Sequence, residues 1–297
     1  HEISIVSAIA IKKALKANLK FIFVDANRDF YLIEPGDMRA NFFSSQKYKK
    51  CKKLYLKEGG FVTHGIFGVK GIDVDCYINL IHGCDGEDGK IAGMFEFYSL
   101  KFIGPRLEAS VMSYSKVLTK FLALKCSVKT LDYEVITKNQ KPNLALPYIL
   151  KPSHLGSSIG VSVVNNLDEL DYALDVGFEF DNEILVEPFV DGVREFNLAG
   201  FKGAEGLELS MIEEPKKGKM LDFKQKYMSF TSSSSVEADL SDEIKNKIKD
   251  AFDRIYTGGR FDGALIRCDF FVIGDEVYLN EINPNPGSLA NYLFSDF

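Results

Sequence analysis

Three oxygen-bearing side chains near the end of the 297-residue chain have the types and spacing of a metal site. Asp269 lies in the run ALIRCDFFVI, and Glu281 and Asn283 lie two residues apart in the run EVYLNEIN. The turn Gly274-Asp275 between the runs predicts an antiparallel hairpin, in which residues two apart share a face. The hairpin would bring together two carboxylates and an amide, which are ligands that Mg²⁺ prefers. Two exposed acidic side chains and a turn asparagine are the alternative interpretation of this spacing.

A lysine and a glycine- and serine-rich loop could supply phosphate contacts. Lys151 follows the apolar run PYIL, and the loop GSSIGVS (156–162) leads directly into another strand-like run. Because this loop joins two strands, it is neither a P-loop nor a dinucleotide-binding fingerprint, both of which use a helix N-terminus. Its N–H groups and hydroxyls could close over phosphate oxygens, and Lys151 would add a cation. A plain hairpin is the alternative, and it is favoured for the loop considered alone.

The segment LVEPFVDGVREF has features of a nucleoside site. Glu187 ends an apolar run, and the backbone after it, at Pro188, Phe189 and Val190, could offer the N–H and C=O pair that an adenine edge needs. Glu195 could accept hydrogen bonds from ribose hydroxyls. Each carboxylate alone is more often a surface side chain. Combined with the lysines, the loop and the acidic hairpin, they supply the groups that a Mg-ATP site requires.

Composition argues against several other classes of function. The charged fraction of 26% and hydrophobic fraction of 46% are those of an ordinary globular protein. A net charge of −6 argues against nucleic-acid binding, which depends on cationic contacts to phosphate. No apolar run is long enough to predict a membrane span. The five cysteines are scattered and form no CxxC pair, which suits a reducing cytoplasm and predicts neither disulfides nor zinc.

The elements that must position these groups begin with an α/β pattern. Residues 2–18 predict a helix, strand-like runs follow, and the apolar run 74–83 predicts a buried parallel strand that feeds a loop. Residues 1–104 therefore predict a parallel α/β domain. Loops at the carboxyl ends of such strands hold ligands, so His82 and Glu87 are candidate binding residues.

Two further parts complete the expected organisation. Residues 105–187 predict a central subdomain that contains the loop 156–162 and a single helix from Ser110 to Leu124. Residues 188–297 predict a hairpin-rich subdomain with a helix from Ser241 to Thr257, closed by the acidic hairpin. The fold class is α/β, or α+β taken as a whole.

The order of these motifs resembles that of D-alanine:D-alanine ligases, which belong to the ATP-grasp family of carboxylate–amine ligases. The resemblance runs essentially end to end and rests on HEISIVSA, HGCDGEDG, ILKPSHLGSSIGVS, REF, DFKQKY and RCDFF…LNEINPNPG. It implies a three-subdomain ATP-grasp architecture and ATP-dependent joining of two D-alanines through an acyl phosphate, for peptidoglycan precursors. It also implies a cytoplasmic homodimer that uses two Mg²⁺ ions, with Mn²⁺ as a substitute.

The resemblance further implies roles for individual residues. The implied nucleotide-binding residues are Lys116, Lys151, Ser158, Glu187, Pro188, Phe189, Val190, Glu195, Lys226 and Asn280. The implied metal ligands are Asp269, Glu281 and Asn283. The implied catalytic groups are Arg267, the backbone at Gly287, Lys226 at the γ-phosphate, and the lid residues Ser157 and Tyr227. The implied contacts of the first D-alanine are His82 and Glu87, and those of the second are Ser288 and Leu289.

Departures from the family pattern leave the acceptor open. Leu221 stands where the family often has a tyrosine, and Tyr292 takes the position of a serine that holds the second substrate's carboxylate. A family glutamate would precede His1, and a terminal helix would follow Phe297. A ligase that uses D-lactate or D-serine as acceptor, and a non-catalytic nucleotide-binding homologue, are therefore the alternatives.

Overall fold

The computed structural model describes residues 2–66, 68–156, 158–215 and 236–297, and within them the chain folds into helices and four β-sheets. The helices are α1 (Glu2–Ala14), α2 (Ala40–Ser44), α3 (Lys90–Phe97), α4 (Leu107–Tyr114), α5 (Lys116–Lys125), α6 (Leu170–Phe180) and α7 (Asp242–Gly258). The first strands are β1 (Phe21–Val24), β2 (Phe30–Ile33), β3 (Lys52–Lys57), β4 (Gly60–Gly65), β5 (Gly68–Gly71), β6 (Tyr77–Ile78) and β7 (Phe102–Ile103). The others are β8 (Glu134–Thr137), β9 (Tyr148–Pro152), β10 (Ser162–Val164), β11 (Glu183–Pro188), β12 (Arg194–Gly203), β13 (Gly206–Leu209), β14 (Ile266–Ile273) and β15 (Glu276–Asn283). Among the described residues, no helix is both long and apolar enough to cross a membrane.

The N-terminal part combines an antiparallel meander with a short parallel pair. Strands β1 to β5 lie in chain order, and each is antiparallel to the next. This direction corrects the expected parallel sheet. The connections from β1 to β2, β3 to β4 and β4 to β5 are too short for the crossover that a parallel pair needs. In the described part of the chain, parallel pairing joins only β6 and β7. The predicted strand 74–83 is reduced to Tyr77–Ile78, although the mixed helix-and-sheet class is confirmed.

The central sheet has the antiparallel order β10-β9-β11-β8 and packs against α6. Its core consists of alternate strand residues such as Leu150 and Ile184, with Leu170 and Ala173 from the helix. The loop after β9 returns as β10, with Ser162 opposite Leu150, which confirms the strand–loop–strand arrangement. Strand β9, which leads into this loop, also pairs with β11 on its other edge.

The third sheet has the antiparallel order β13-β12-β14-β15 and is covered by helices. The predicted apolar face of α7, with Ile244, Ile248, Phe252 and Ile255, is buried against it, as expected. Helices α4 and α5 contribute Leu122 and other residues to the same core. The predicted division into residues 1–104, 105–187 and 188–297 stays a prediction, and this shared core lies across its second boundary.

The predicted single helix from Ser110 to Leu124 is wrong, because the chain leaves helical conformation at Ser115. Ser115 has φ −84° and ψ 122°, and its Oγ accepts the N–H of Leu118 at 3.3 Å. A serine in this position caps a new helix. Because of this break, α5 begins at Lys116, beside the loop that follows β9. The backbone N–H of Lys116 donates to the backbone oxygen of Ser153 in that loop at 2.9 Å.

Candidate active site

The hairpin of β14 and β15 carries the predicted metal ligands on one face. Asp269 pairs directly with Glu281, and Arg267 pairs with Asn283. The amide Nδ2 of Asn283 donates to Oδ2 of Asp269 at 3.1 Å. Asp269 is only 3% exposed. The prediction that the two carboxylates and the amide converge is therefore confirmed.

A β-bulge brings Asn280 into the same cluster. The register shifts between Asp269 and Phe270, which leaves Asn280 as the extra residue on β15. Leu279 before it and Ile282 after it are both buried in the core of the sheet, so the two residues between them face the cluster. The Oδ1 of Asn280 accepts a hydrogen bond from Lys151 Nζ at 3.2 Å.

Arg267 binds Asp269 through two parallel hydrogen bonds. Its Nε and Nη2 donate to the two carboxylate oxygens at 2.7 and 2.8 Å, a bidentate geometry that fixes the guanidinium. Its Nη1 donates to the hydroxyl of Tyr292 at 3.3 Å. The tyrosine that replaces the family serine therefore lies directly against the predicted oxyanion-stabilising group.

Positive charges surround Glu281. Burial alone would raise the pKa of its carboxyl, but Lys116, Arg267 and Lys151 together hold that pKa below its usual value. Burial lowers the pKa of Lys116, and the charge of Glu281 opposes this shift. The ammonium of Lys116 also donates to the backbone oxygen of Leu155, the residue directly before the glycine-rich loop. An ionised carboxylate is thus kept beside cations that can bind phosphate oxygens.

Glu187 is buried between two lysines. Lys151 Nζ donates to its Oε2 at 2.6 Å, and Lys120 Nζ donates to its Oε1. Burial alone would raise the pKa of Glu187, but the two ammonium groups hold it below its usual value. Since Glu187 is 1% exposed, the alternative of a surface carboxylate is excluded. No local pattern marks Lys120 as the partner of Glu187, because the two residues are 67 positions apart.

The predicted adenine hinge spans the end of β11 and the two residues after it. The N–H of Phe189 donates to the backbone oxygen of Pro147 at 3.0 Å, so this donor is already engaged. Glu195 lies on β12 directly opposite Phe271. The ring centroid of Phe271 is 6.0 Å from Lys151 Nζ, so Glu195 belongs to the face of the sheet that this lysine approaches.

The loop 156–162 is shaped by a glycine at its base. Gly160 has φ +71°, and a Cβ there would lie 2.8 Å from Pro152 Cγ and 2.9 Å from Phe180 Cδ2. Ser158 also has a positive φ, of 60°. The predicted lid residues Ser157, Lys226 and Tyr227, and the departure Leu221, lie outside the described residues.

The predicted contacts of the first substrate lie together. His82 Nδ1 is 3.3 Å from Glu87 Oε1, and Glu87 Oε2 accepts the N–H of Gly83 at 2.9 Å. The other ring nitrogen of His82 is 2.8 Å from the hydroxyl of Ser7, a residue that the sequence did not single out. Glu87 also lines a cleft with groups of the nucleotide cluster, including Lys116, Gly156, Asn280, Glu281 and Asn283.

The predicted contacts of the second substrate lie in a left-handed turn. Ser288, Leu289 and Ala290 have φ values of 52°, 50° and 48°. This conformation costs L-residues about 1–2 kcal/mol each, so surrounding contacts must hold it. The Leu289 side chain is buried with Ile11 in a hydrophobic cluster, so only its backbone is suitably placed for a polar ligand. A Cβ added to Gly287 would meet no atom within 4 Å, so its backbone borders open space.

A glycine-rich strand–loop–strand above a sheet with paired carboxylates, next to buried lysines, defines the ATP-grasp class of ligases. Two family models match the chain. The D-ala D-ala ligase N-terminus matches residues 1–105, and the D-ala D-ala ligase C-terminus matches residues 116–296. The chain belongs to the D-alanine–D-alanine ligase family.

Comparisons with individual proteins agree with this family. The D-alanine–D-alanine ligase of Campylobacter concisus is 64% identical over all of this chain and 86% of the relative, and that of a Sulfurovum species is 57% identical with the same coverage. The crystal structure of the Helicobacter pylori D-alanine–D-alanine ligase has a TM-score of 0.88 and 48% identity, over 100% of this chain and 90% of the other. The VanG D-Ala:D-Ser ligase of Enterococcus faecalis has a TM-score of 0.80 at 22% identity, over 99% and 90%, which shows the shared fold.

Proposed function

We propose that this chain joins two D-alanine molecules into D-alanyl-D-alanine and cleaves ATP, which provides the dipeptide for peptidoglycan precursors. The observation that carries the proposal is the convergence of Asp269, Glu281 and Asn283 beside Lys116 and Lys151. These groups can bind a triphosphate and its metal ion within reach of the predicted amino-acid sites. Both the family membership and the cleft that joins Glu87 to this cluster support the same conclusion.

Lysines and backbone groups would hold the nucleotide. Lys116 and Lys151 would bind the α- and β-phosphates, and the loop that contains Ser158 would cover them. Asn280 holds Lys151 from the hairpin side. Glu187 acts through its side-chain contact with Lys151, while the backbone from Pro188 to Val190 offers the adenine edge its partners. With the Phe189 N–H engaged by Pro147, Val190 is the expected N–H donor, and Glu195 is the expected ribose contact.

The hairpin cluster fits Mg²⁺ by the chemistry of its donors. Asp269 and Glu281 supply carboxylate oxygens, and Asn283 supplies an amide oxygen once its side chain rotates by half a turn. Hard cations take such ligands and fill their other positions with phosphate oxygens and water. When bound, the metal neutralises charge on the transferred phosphoryl group. We infer two Mg²⁺ ions, with Mn²⁺ able to replace them.

The proposed reaction has two steps, and different residues serve each step. The carboxylate of the first D-alanine, bound near His82 and Glu87, attacks the γ-phosphate. The bond to the β-phosphate breaks, and the products are an acyl phosphate and ADP. The amine of the second D-alanine then attacks the acyl carbon, and phosphate leaves. Arg267 and the backbone at Gly287 would stabilise the negative oxygen of the tetrahedral intermediate.

The remaining assignments concern the acceptor and the lid. Ser288 and the backbone of Leu289 would bind the carboxylate of the second substrate. Lys226 at the γ-phosphate, and Ser157 with Tyr227 in the lid, stay predictions from the family resemblance.

Phosphate release with different amino acids and acceptors tests the proposal. The purified chain with Mg-ATP should release phosphate with D-alanine and form the dipeptide, whereas L-alanine should give no stimulation. Adding D-lactate or D-serine to D-alanine should give little mixed product. Preferential formation of D-alanyl-D-lactate or D-alanyl-D-serine would favour the other acceptor. ATP binding without stimulation by any amino acid would favour a non-catalytic homologue.

The cellular setting and assembly follow the same proposal. All five cysteines are free, as expected for a cytoplasmic protein. We infer a cytoplasmic homodimer, and light scattering of the purified protein should give twice the chain mass of 33.3 kDa. A mass equal to a single chain would refute the dimer.

A further inference from the structure

Ser7 connects two substrate-facing segments that are far apart in the sequence. It lies in α1 and is 2% exposed. Its Oγ is 2.8 Å from Nε2 of His82, which is 75 positions away, and accepts the N–H of Ser288 at 3.0 Å, which is 281 positions away. One hydroxyl thus contacts both the loop assigned to the first D-alanine and the turn assigned to the second.

One assignment of the protons gives every donor in these contacts an acceptor. Because the Ser7 oxygen accepts from the Ser288 N–H, its single proton can be donated to Nε2 of His82. The ring then carries its own proton on Nδ1, which faces Glu87 Oε1 at 3.3 Å. A chain of hydrogen bonds therefore leads from the Ser288 amide, through Ser7 and the His82 ring, to the carboxylate of Glu87, and each donor in it has an acceptor.

The surrounding contacts show why this link matters for geometry. Ser288 begins the left-handed turn, which L-residues adopt only when neighbouring groups hold it. Asn285 Nδ2 donates to the backbone oxygen of Ile81 at 3.0 Å and joins the same two segments a second time. Ser4, one turn earlier in α1, accepts the backbone N–H of His82 at 3.1 Å but is not bonded to the ring.

We propose that Ser7 is a positioning residue that fixes the His82 ring and the Ser288 turn relative to each other, and so sets the geometry of both D-alanine sites together. The proposal rests on the function assigned above, because that function places the two substrates at these segments. Ser7 acts through His82 and Ser288 and does not itself contact the reacting atoms. Its loss should therefore affect amino-acid binding and leave nucleotide binding unchanged.

Kinetics of three variants provide the first test. Ser7→Ala fits the helix, since alanine is smaller and a better helix former. We expect the D-alanine KM values to rise about tenfold, the effect of leaving a buried donor unpaired, with the ATP KM unchanged. Ser7→Thr retains the hydroxyl and should recover most of the loss, while the control Val6→Ala, at a 37% exposed position of the same helix, should behave as the wild type. D-alanine KM values in Ser7→Ala within about twofold of the wild type, in a protein with an unchanged melting temperature, would overturn the proposal.

Histidine NMR provides a second test that does not depend on turnover. The chain has only four histidines, so ¹⁵N-labelled side chains give few signals. We expect His82 Nε2 to be unprotonated in the wild type, with a resonance that moves in Ser7→Ala and not in Val6→Ala. A resonance that does not move in Ser7→Ala would refute the link. If the wild type formed no dipeptide but the His82 resonance still moved in Ser7→Ala, the assigned function would be refuted and the Ser7–His82 contact would stand.

Discussion

Replacing Lys120 by methionine tests the buried charge cluster most sharply. The change keeps an unbranched side chain of similar length and removes one of the two cations on Glu187. Both the Lys120 and the Glu187 side chains are 2% exposed, so water cannot replace the lost contact. Removing one partner of such a buried pair costs roughly 3–5 kcal/mol of unfolding free energy. We expect the lower end, about 3 kcal/mol, because Lys151 remains 2.6 Å from the carboxylate.

Lys120→Met should also weaken ATP binding. When a phosphate draws Lys151 away from Glu187, Lys120 is the cation left to neutralise that carboxylate. Without it, binding the nucleotide would leave a buried charge unpaired, so we expect the ATP KM to rise at least about tenfold. The D-alanine KM values should change much less, because the residues that bind the two D-alanines lie outside this cluster.

Urea unfolding and steady-state kinetics measure these effects against a matched control. Lys125 lies on the same helix and is exposed. Within the described residues its ammonium donates to the backbone oxygen of Gly258 at 3.1 Å, so Lys125→Met should have little effect. The double variant Lys120→Met/Glu187→Met should recover part of the stability, since it leaves no unpaired carboxylate. If Lys120→Met matched the control in both unfolding free energy and ATP KM, the assignment of the cluster would be refuted.

Three further predictions concern pH, the loop and the acceptor site. Since the pKa of Glu187 is held below its usual 4.5 in the folded protein, the ionised carboxylate contributes its full stability above pH 4.5. That contribution is lost as the pH falls through the lower folded pKa. Glu187→Gln should therefore flatten the acid side of a plot of unfolding free energy against pH, and an unchanged plot would contradict this. Gly160→Ala should cost about 1–3 kcal/mol in urea unfolding, because φ is +71° and the methyl group has no room, whereas Gly156→Ala, with no atom within 4 Å of its Cβ, should be neutral. Tyr292→Ser frees Arg267 and restores the family hydroxyl, so the second D-alanine KM should fall roughly threefold or more in the phosphate-release assay, and a rise would show that the tyrosine itself serves binding.

Local patterns in the sequence predicted much of the active-site hairpin. Asp269, Glu281 and Asn283 converge because strand residues alternate with a period of two, which a single sequence reveals. Asn280 faces the same cluster only because of a β-bulge, and alternation alone would have turned it away from Glu281. The break at Ser115 had a signal, a serine two residues before the apolar pair Val117-Leu118, but the continuing helical periodicity concealed it.

Long-range contacts could not be predicted in this way. The Lys120–Glu187 pair and the Ser7 contacts join elements that local spacing does not relate. The strand direction in the N-terminal sheet, in contrast, could have been predicted. The short connection at Glu58-Gly59 favours an antiparallel pair over a crossover. That connection was a usable signal, and it outweighs the general α/β pattern from which a parallel sheet was expected.

Anomalous diffraction from crystals with Mn²⁺ and a non-hydrolysable ATP analogue tests the central claim most directly. We predict a manganese peak at the hairpin, with oxygens of Asp269, Glu281 and Asn283 at about 2.0–2.3 Å and the analogue's phosphates on its other side. Asp269→Asn should weaken or abolish that peak. A metal–nucleotide complex bound at other residues, with the hairpin oxygens out of contact, would contradict the account.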